Sequence, residues 1–277
     1  MAFTILVSTT DLADHLRDWR IFDCRHDLMK PEWGEAQYRE GHIPGAVFAS
    51  LDRNLSAPKT GKNGRHPLPD PDAFGAWLGR MGLRREDQVV CYDGANGLYA
   101  ARLWWMLRWV GHRNVAVLDG GFAKWKKEGR PTTTEIPVPT PGEYAIDVQE
   151  DAAVSARTVH RRLGQQALLD ARAAPRWRGE TEPIDPEAGR IPGAFNRSSA
   201  DNNAADGTFK PAPQLRTEFE KALGGRRPAD VVNYCGSGVS ACHNLLAMEI
   251  AGLSGAKLYA GSWSEWIADP ARPREKG

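Results

Sequence analysis

Cysteine is scarce in this chain of 277 residues: Cys24, Cys91, Cys235 and Cys242 are the full set. No two of them make a Cys-x-x-Cys pair and none falls at a metal-ligand spacing, which argues against a disulfide framework or a structural zinc site. A reducing compartment fits this usage better. Excess charge of either sign is also missing. A formal net charge of +1 gives no electrostatic reason to expect nucleic acid or an anionic membrane as partner. Apolar runs are short, and none approaches the ~20 residues that span a bilayer. Residues 1–8 lack the basic start and apolar length of a secretory signal. The expectation is a cytoplasmic protein. What remains is a composition of 41% hydrophobic and 26% charged residues, ordinary for a soluble globular protein. The length suits about two domains.

Short apolar strands alternate with amphipathic helices along the first half. Ser8 reads as a helix N-cap, with Leu12 and Leu16 on one face of a helix over 8–18. Strands are expected at 21–25, 47–49, 88–92 and 115–118, and helices at 35–40, 72–81, 98–110 and 122–127. A polar loop covers 54–71. Strands and helices of these lengths in alternation predict an α/β fold, a parallel sheet with helices on both faces.

The pattern then returns about 145 residues later. Ile21-Phe22-Asp23-Cys24-Arg25 is echoed by Leu168-Leu169-Asp170-Ala171-Arg172. Gly41-His42-Ile43-Pro44-Gly45-Ala46 is echoed by Gly189-Arg190-Ile191-Pro192-Gly193-Ala194, and Val89-Val90-Cys91-Tyr92-Asp93-Gly94 by Val231-Val232-Asn233-Tyr234-Cys235-Gly236. Gly120 and Trp125 match Gly261 and Trp266. This is a tandem duplication, with the Pro- and Thr-rich stretch 131–141 as linker and domains expected at 1–136 and 137–277. Arg25 and Arg172 end equivalent strands beside an aspartate, which suggests buried ion pairs.

The copies differ at one telling position. In the second, a buried strand stops at Cys235, followed by small residues with two glycines and a helix from about Ala241 toward Ala251. Backbone amides and the positive end of a helix dipole would both favour a thiolate there. Gly236 and Gly238 allow the amides of residues 236–240 to turn inward as an anion nest. A buried structural thiol is the alternative. In the first copy the position is Asp93, a poor nucleophile toward sulfur but a good helix cap. The first half therefore looks catalytically silent. Cys242 and the residues Tyr99, Trp104, Trp105 and Trp109 read as core packing. Trp263 is a candidate either for pocket wall or for core.

These residues resemble tandem rhodanese-type sulfurtransferases over nearly the whole chain. The resemblance rests on the Asp-x-Arg strand end, the Gly-His-Ile-Pro-Gly-Ala turn, the loop Cys235-Gly236-Ser237-Gly238-Val239-Ser240 and Gly261-Ser262-Trp263-Ser264-Glu265-Trp266. In that family a silent N-terminal domain accompanies a catalytic C-terminal one. The loop is similar to the Cys-Gly-Ser/Thr-Gly-Val-Thr version of 3-mercaptopyruvate sulfurtransferases, whereas thiosulfate sulfurtransferases tend to carry basic residues after the cysteine. The resemblance also implies a relay of Ser237, His66 and Asp52 and assigns Arg176 to the substrate carboxylate. The family's second substrate arginine has no counterpart in the stretch 182–186, and Arg190, standing where the turn motif usually has histidine, is the candidate replacement.

The implied reaction is ping-pong transfer of a sulfane sulfur through a Cys235 persulfide, held among the amides of Gly236, Ser237, Gly238, Val239 and Ser240. Mercaptopyruvate is the first-choice donor and thiosulfate the alternative. The acceptor is a small thiol, cyanide or thioredoxin, and the chemistry requires no metal or organic cofactor. A monomer is expected. Cysteine-phosphatase chemistry wants Cys-x5-Arg, but the sixth residue after Cys235 is Ala241. A non-catalytic sulfur-binding module would be signalled by loss of the cysteine from both halves, and Cys235 remains.

Overall fold

The computed structural model describes residues 2–277, which fall into two compact units. Unit 1 contains residues up to Ala57, Pro69–Gln149 and Asn203–Phe209, and unit 2 contains Pro58–Leu68, Glu150–Asn202 and Lys210–Gly277. The sequence placed the division after residue 136. The segment 137–149 instead stays with unit 1, where the amides of Gly142, Asp147 and Gln149 bond the carbonyls of Gly79, Val110 and Trp109 at 2.8–3.0 Å. The segment 58–68, from the first half of the sequence, folds as part of unit 2.

Unit 1 runs β1 (Leu6–Val7), α1 (Thr9–Asp14), β2 (Arg20–Asp23), α2 (Trp33–Glu40), β3 (Val47–Phe48), α3 (Pro71–Arg80), β4 (Val89–Tyr92), α4 (Ala100–Trp109), β5 (Val115–Leu118) and α5 (Gly121–Lys127). Its five strands are all parallel, in the order β1-β5-β4-β2-β3. Ser8 caps α1 by accepting from Asp11 N–H, yet the helix stops at Asp14, where His15 leaves helical geometry and a turn follows. The apolar strands β4 and β5 are buried along their whole length, as expected where helices cover both faces.

Unit 2 runs α6 (Ala156–Arg161), β6 (Ala167–Asp170), α7 (Ala174–Arg178), β7 (Phe195–Asn196), α8 (Ala212–Leu223), β8 (Val231–Tyr234), α9 (Val239–Ile250), β9 (Lys257–Leu258) and α10 (Ser262–Trp266). Four parallel strands lie in the order β7-β6-β8-β9. This reproduces the β3-β2-β4-β5 order of unit 1. Where unit 1 has β1 on the edge, unit 2 has an isolated parallel bridge between Ala153 and Leu258.

The repeated motifs owe their form to one buried network made twice. Arg25 pairs with Asp23 at 2.6 Å and bonds the Gly41 carbonyl at 2.7 Å, while the Tyr92 hydroxyl donates to Asp23 at 2.7 Å and accepts from Ile43 N–H. In unit 2 Arg172 pairs with Asp170 at 2.7 Å and bonds the Gly189 carbonyl at 2.7 Å, and Tyr234 accepts from Ile191 N–H. Burial, with the neighbouring aspartate second, pushes both tyrosine hydroxyls well above their ordinary range. Each network ties the end of a central strand to the turn that begins the next strand, and leaves no member's charge unpaired. The arginines are structural, as their positions suggested.

Candidate active site

Strand β8 and helix α9 deliver Cys235. The thiol follows directly on the last strand residue, Tyr234, and α9 begins four residues later at Val239. Gly238 forms the bend, with φ of 82°. A Cβ there would lie 2.4 Å from the Ala260 carbonyl oxygen, so both backbone conformation and space demand glycine. Gly238 N–H donates to Cys235 Sγ at 3.1 Å. Cys235 is only 1% exposed. Its N–H donates to Ser262 Oγ at 3.0 Å, and its carbonyl accepts from Trp263 N–H at 2.9 Å.

Ser262 escaped notice in the sequence, and it is unusual. It alone among the described non-glycine residues has positive φ, at 56°. The corresponding residue of unit 1 is a glycine, Gly121, with φ of 53°. Holding a serine there costs about 1–3 kcal/mol, offset by a hydroxyl that bonds Cys235 N–H and the Tyr259 carbonyl. The one sequence signal is the repeat itself, which aligns Ser262 with Gly121.

The first-half counterpart is differently occupied. Asp93 accepts from the amides of Ala95, Gly97, Tyr99 and Ala100 at 2.8–3.2 Å, which caps the start of α4. Burial raises the Asp93 carboxyl above its ordinary range against the pull of those four amides. The carboxylate fills this nest with its own oxygens.

Ser237, next to Gly236 in the loop, brings Oγ to 2.8 Å from His66 Nδ1. Both side chains are buried in unit 2, because His66 lies on the segment 58–68. Asp52 belongs to unit 1, in a turn that Ser50 and Asn54 close by hydrogen bonds. Arg176, on α7, is held by Glu182 through Nε at 3.1 Å and Nη2 at 2.7 Å, and by Asp185 at 3.1 Å. Burial works against the Glu182 carboxylate, but Arg176 and the amides of Asp185 and Ile184 outweigh it and hold its pKa below the ordinary range.

Arg190 does not join this group. Its guanidinium pairs with Glu275, bonds the Gly277 carbonyl and stacks 4.3 Å from the Trp177 ring centroid, so it ties down the C-terminal segment. The second arginine at the loop is Arg65, which sequence reasoning missed. Arg65 pairs with Asp185, and a Cβ placed on Gly236 would lie 2.9 Å from Arg65 Nη2 and 3.5 Å from Arg176 Nη2. The bare backbone of Gly236 leaves room for the Arg65 guanidinium, while Arg176 sits at ordinary contact distance. Trp263 is fully buried in the unit 2 core, and Cys242 is buried with its thiol on the Gly238 carbonyl. Among the described residues no cluster of His, Cys, Asp and Glu is placed to hold a metal, and no helix is long and apolar enough to cross a membrane.

Comparison with known proteins agrees with this architecture. The family model described as rhodanese-like domain matches twice, at residues 8–128 and 155–269. The chain is similar to a probable 3-mercaptopyruvate sulfurtransferase of Pseudomonas aeruginosa, with 48% identity over the full length of both chains. It is also 38% identical to the putative thiosulfate sulfurtransferase SseB of Mycobacterium tuberculosis, over 99% of this chain and 97% of that one. Among solved structures, the 3-mercaptopyruvate sulfurtransferase from Leishmania major superposes with a TM-score of 0.86 at 30% identity, covering 98% of this chain and 75% of that one. Two matches in tandem, on two sheets of matching strand order, establish that the chain belongs to the rhodanese-like family and carries two copies of its domain.

Proposed function

We propose that the protein is a sulfurtransferase that takes a sulfane sulfur from 3-mercaptopyruvate onto Cys235 and passes it to a thiophilic acceptor. Cys235 thiolate attacks the donor sulfur, a sulfur–sulfur bond forms and the carbon–sulfur bond breaks. Pyruvate leaves as its enolate and takes up a proton. An acceptor thiolate or cyanide then attacks the outer sulfur of the persulfide, carries it away and restores the Cys235 thiolate. Unit 2 supplies the nucleophile, Ser237 and His66. Unit 1, with Asp93 at the equivalent position, is the silent copy.

The observation that carries the mercaptopyruvate reading is the 2.8 Å contact between Ser237 Oγ and His66 Nδ1 beside the nucleophile. An enolate leaving group needs a proton, and a hydroxyl backed by imidazole relays one. Sulfite, the leaving group of thiosulfate, needs none. The names borne by the relatives from Pseudomonas aeruginosa and Leishmania major support the same donor. Asp52 is the proposed third member of the relay, on the family resemblance. Arg176 is the proposed cation for the donor carboxylate, and the amides of Gly236, Gly238, Val239 and Ser240 are proposed to receive the persulfide. A cytoplasmic setting, a monomeric state and thioredoxin as one acceptor complete the reading.

Replacing Ser237 by alanine separates the donors. Ser237→Ala is expected to lower kcat/KM for mercaptopyruvate by about 10²-fold, the usual scale of a lost acid–base group. The value for thiosulfate should fall by less than about tenfold. His66→Gln should behave alike, and Asp52→Asn more mildly. Steady-state kinetics with both donors and cyanide decides the matter, and equal losses for the two donors would remove the relay.

A further inference from the structure

Arg65 and Arg176 approach the nucleophile loop with a carboxylate between them. Asp185 pairs through Oδ1 with Arg65 and lies 3.1 Å through Oδ2 from Arg176 Nη2. Its Oδ2 is 3.5 Å from where a Cβ on Gly236 would sit. Glu182 takes the remaining edge of Arg176 and, held ionised by that partner and by two amides, contributes a second negative charge; it also lies 3.4 Å from the buried Arg172, whose own charge Asp170 balances. Two guanidiniums and two carboxylates therefore cancel at the loop.

The burial of the four groups is not equal. The Asp185 and Glu182 side chains are 3% and 4% exposed, whereas Arg65 and Arg176 retain 19% and 15%. The positive groups form the outer layer and the negative groups the inner one. Arg65 Nε is buried and has no hydrogen-bond partner among the described residues, so the guanidinium keeps donor capacity that the fold leaves unfilled. An anion arriving at the arginines meets attraction from the outer layer and repulsion from the inner one. In a poorly hydrated site each further unit of negative charge is penalised more than it would be in water.

We propose that Asp185 determines donor specificity, by neutralising the Arg65–Arg176 pair so that the site favours a singly charged donor over a doubly charged one. This inference rests on the proposed function and deepens it. Mercaptopyruvate carries one carboxylate; thiosulfate is a dianion. Counting the Cys235 thiolate, with Asp185 in place the dianion drives the local charge to minus three and the monoanion to minus two. Asp185 does no chemistry itself. It acts through the arginines, so its effect belongs in KM.

Asp185→Asn keeps the shape and removes one negative charge, while its single amide oxygen can accept from only one of the two arginines. KM for thiosulfate is expected to fall about tenfold and KM for mercaptopyruvate about threefold at most, so that the kcat/KM ratio shifts toward thiosulfate. The shift should shrink as ionic strength rises. A rise in both KM values would mean that Asp185 merely holds the arginines in place, and an equal fall in both would mean that it does not discriminate charge; either overturns the proposal. Arg65→Gln provides the opposite test should Asp185→Asn fail to fold. It should raise both KM values, that of thiosulfate more, and equal rises would likewise overturn the proposal. Sulfur loading of Cys235, followed by mass spectrometry, keeps the two claims apart. A variant that loads normally with an unchanged donor ratio defeats only the role of Asp185, whereas a wild-type protein that loads from neither donor defeats the proposed function as well.

Discussion

Cys235→Ser is expected to abolish sulfur transfer from either donor, with a loss of about 10³-fold or more in kcat/KM. The substitution changes one atom in a position that is 1% exposed, between the last residue of β8 and the bend at Gly238. Serine accepts the Gly238 N–H as sulfur does, and leaves the bonds from the Cys235 backbone to Ser262 and Trp263 intact. Fold and stability should therefore change little. An oxygen nucleophile cannot form the sulfur–sulfur bond that stores the transferred atom, so the loss is chemical. Assays with mercaptopyruvate and thiosulfate, alongside a circular dichroism melt, measure both parts. Retention of more than a few per cent of activity would place the sulfur relay on another residue.

Gly238→Ala is the second large effect, and there the loss begins in the backbone. Residue 238 has φ of 82°, a region that costs an L-residue about 1–2 kcal/mol. The new Cβ would also lie 2.4 Å from the Ala260 oxygen and 3.0 Å from its Cα, both backbone atoms that cannot swing aside. Overpacking of this kind adds about 1–3 kcal/mol, for a total near 3 kcal/mol. A unit of this size should lose about 6–12 °C in melting temperature. Displacement of Gly238 carries its N–H away from Cys235 Sγ, so activity should fall with stability. Gly193→Ala is the control. Its φ is 73°, yet a Cβ there meets nothing within 4 Å, and only the conformational cost of about 1 kcal/mol applies. Differential scanning calorimetry of both variants, read as two transitions because the chain has two compact units, checks the comparison. A Gly238→Ala variant as stable as Gly193→Ala would contradict the close approach of residue 238 to Ala260.

What the sequence revealed and what it hid follow from the range of the interactions. The parallel sheets were legible because β4 and β5 are runs of apolar residues buried throughout, and β8 is apolar but for Asn233, with helices of the right length between strands. The duplicated Asp-x-Arg motif could be read as an ion pair because its partners stand two residues apart. Asp93 as a helix cap was equally local: its acceptors bond amides within seven residues. Long-range pairings were not legible. Arg65 meets a carboxylate 120 residues away, and nothing in its own neighbourhood marks it as the second arginine at the loop. Arg190 sits in a motif that pointed toward the site, but Glu275, 85 residues on, claims its guanidinium. Spacing along the chain fixes backbone direction; it does not say which distant carboxylate a flexible cation will find. The domain limit at 136/137 moved for a similar reason, since the Pro-rich segment that looks like a free linker leads into residues that hydrogen-bond back to α3 and α4.

The tautomer of His66 and the proton on Ser237 matter only if sulfur reaches Cys235, so the persulfide is the step on which the account turns. The direct measurement is intact and peptide mass spectrometry of the wild-type protein after treatment with mercaptopyruvate in the absence of acceptor. One added sulfur is expected, located on the peptide containing Cys235 and removed by cyanide, with Cys24, Cys91 and Cys242 unmodified. An enzyme that turns over mercaptopyruvate while Cys235 stays unmodified, or that carries the sulfur on another cysteine, would contradict it.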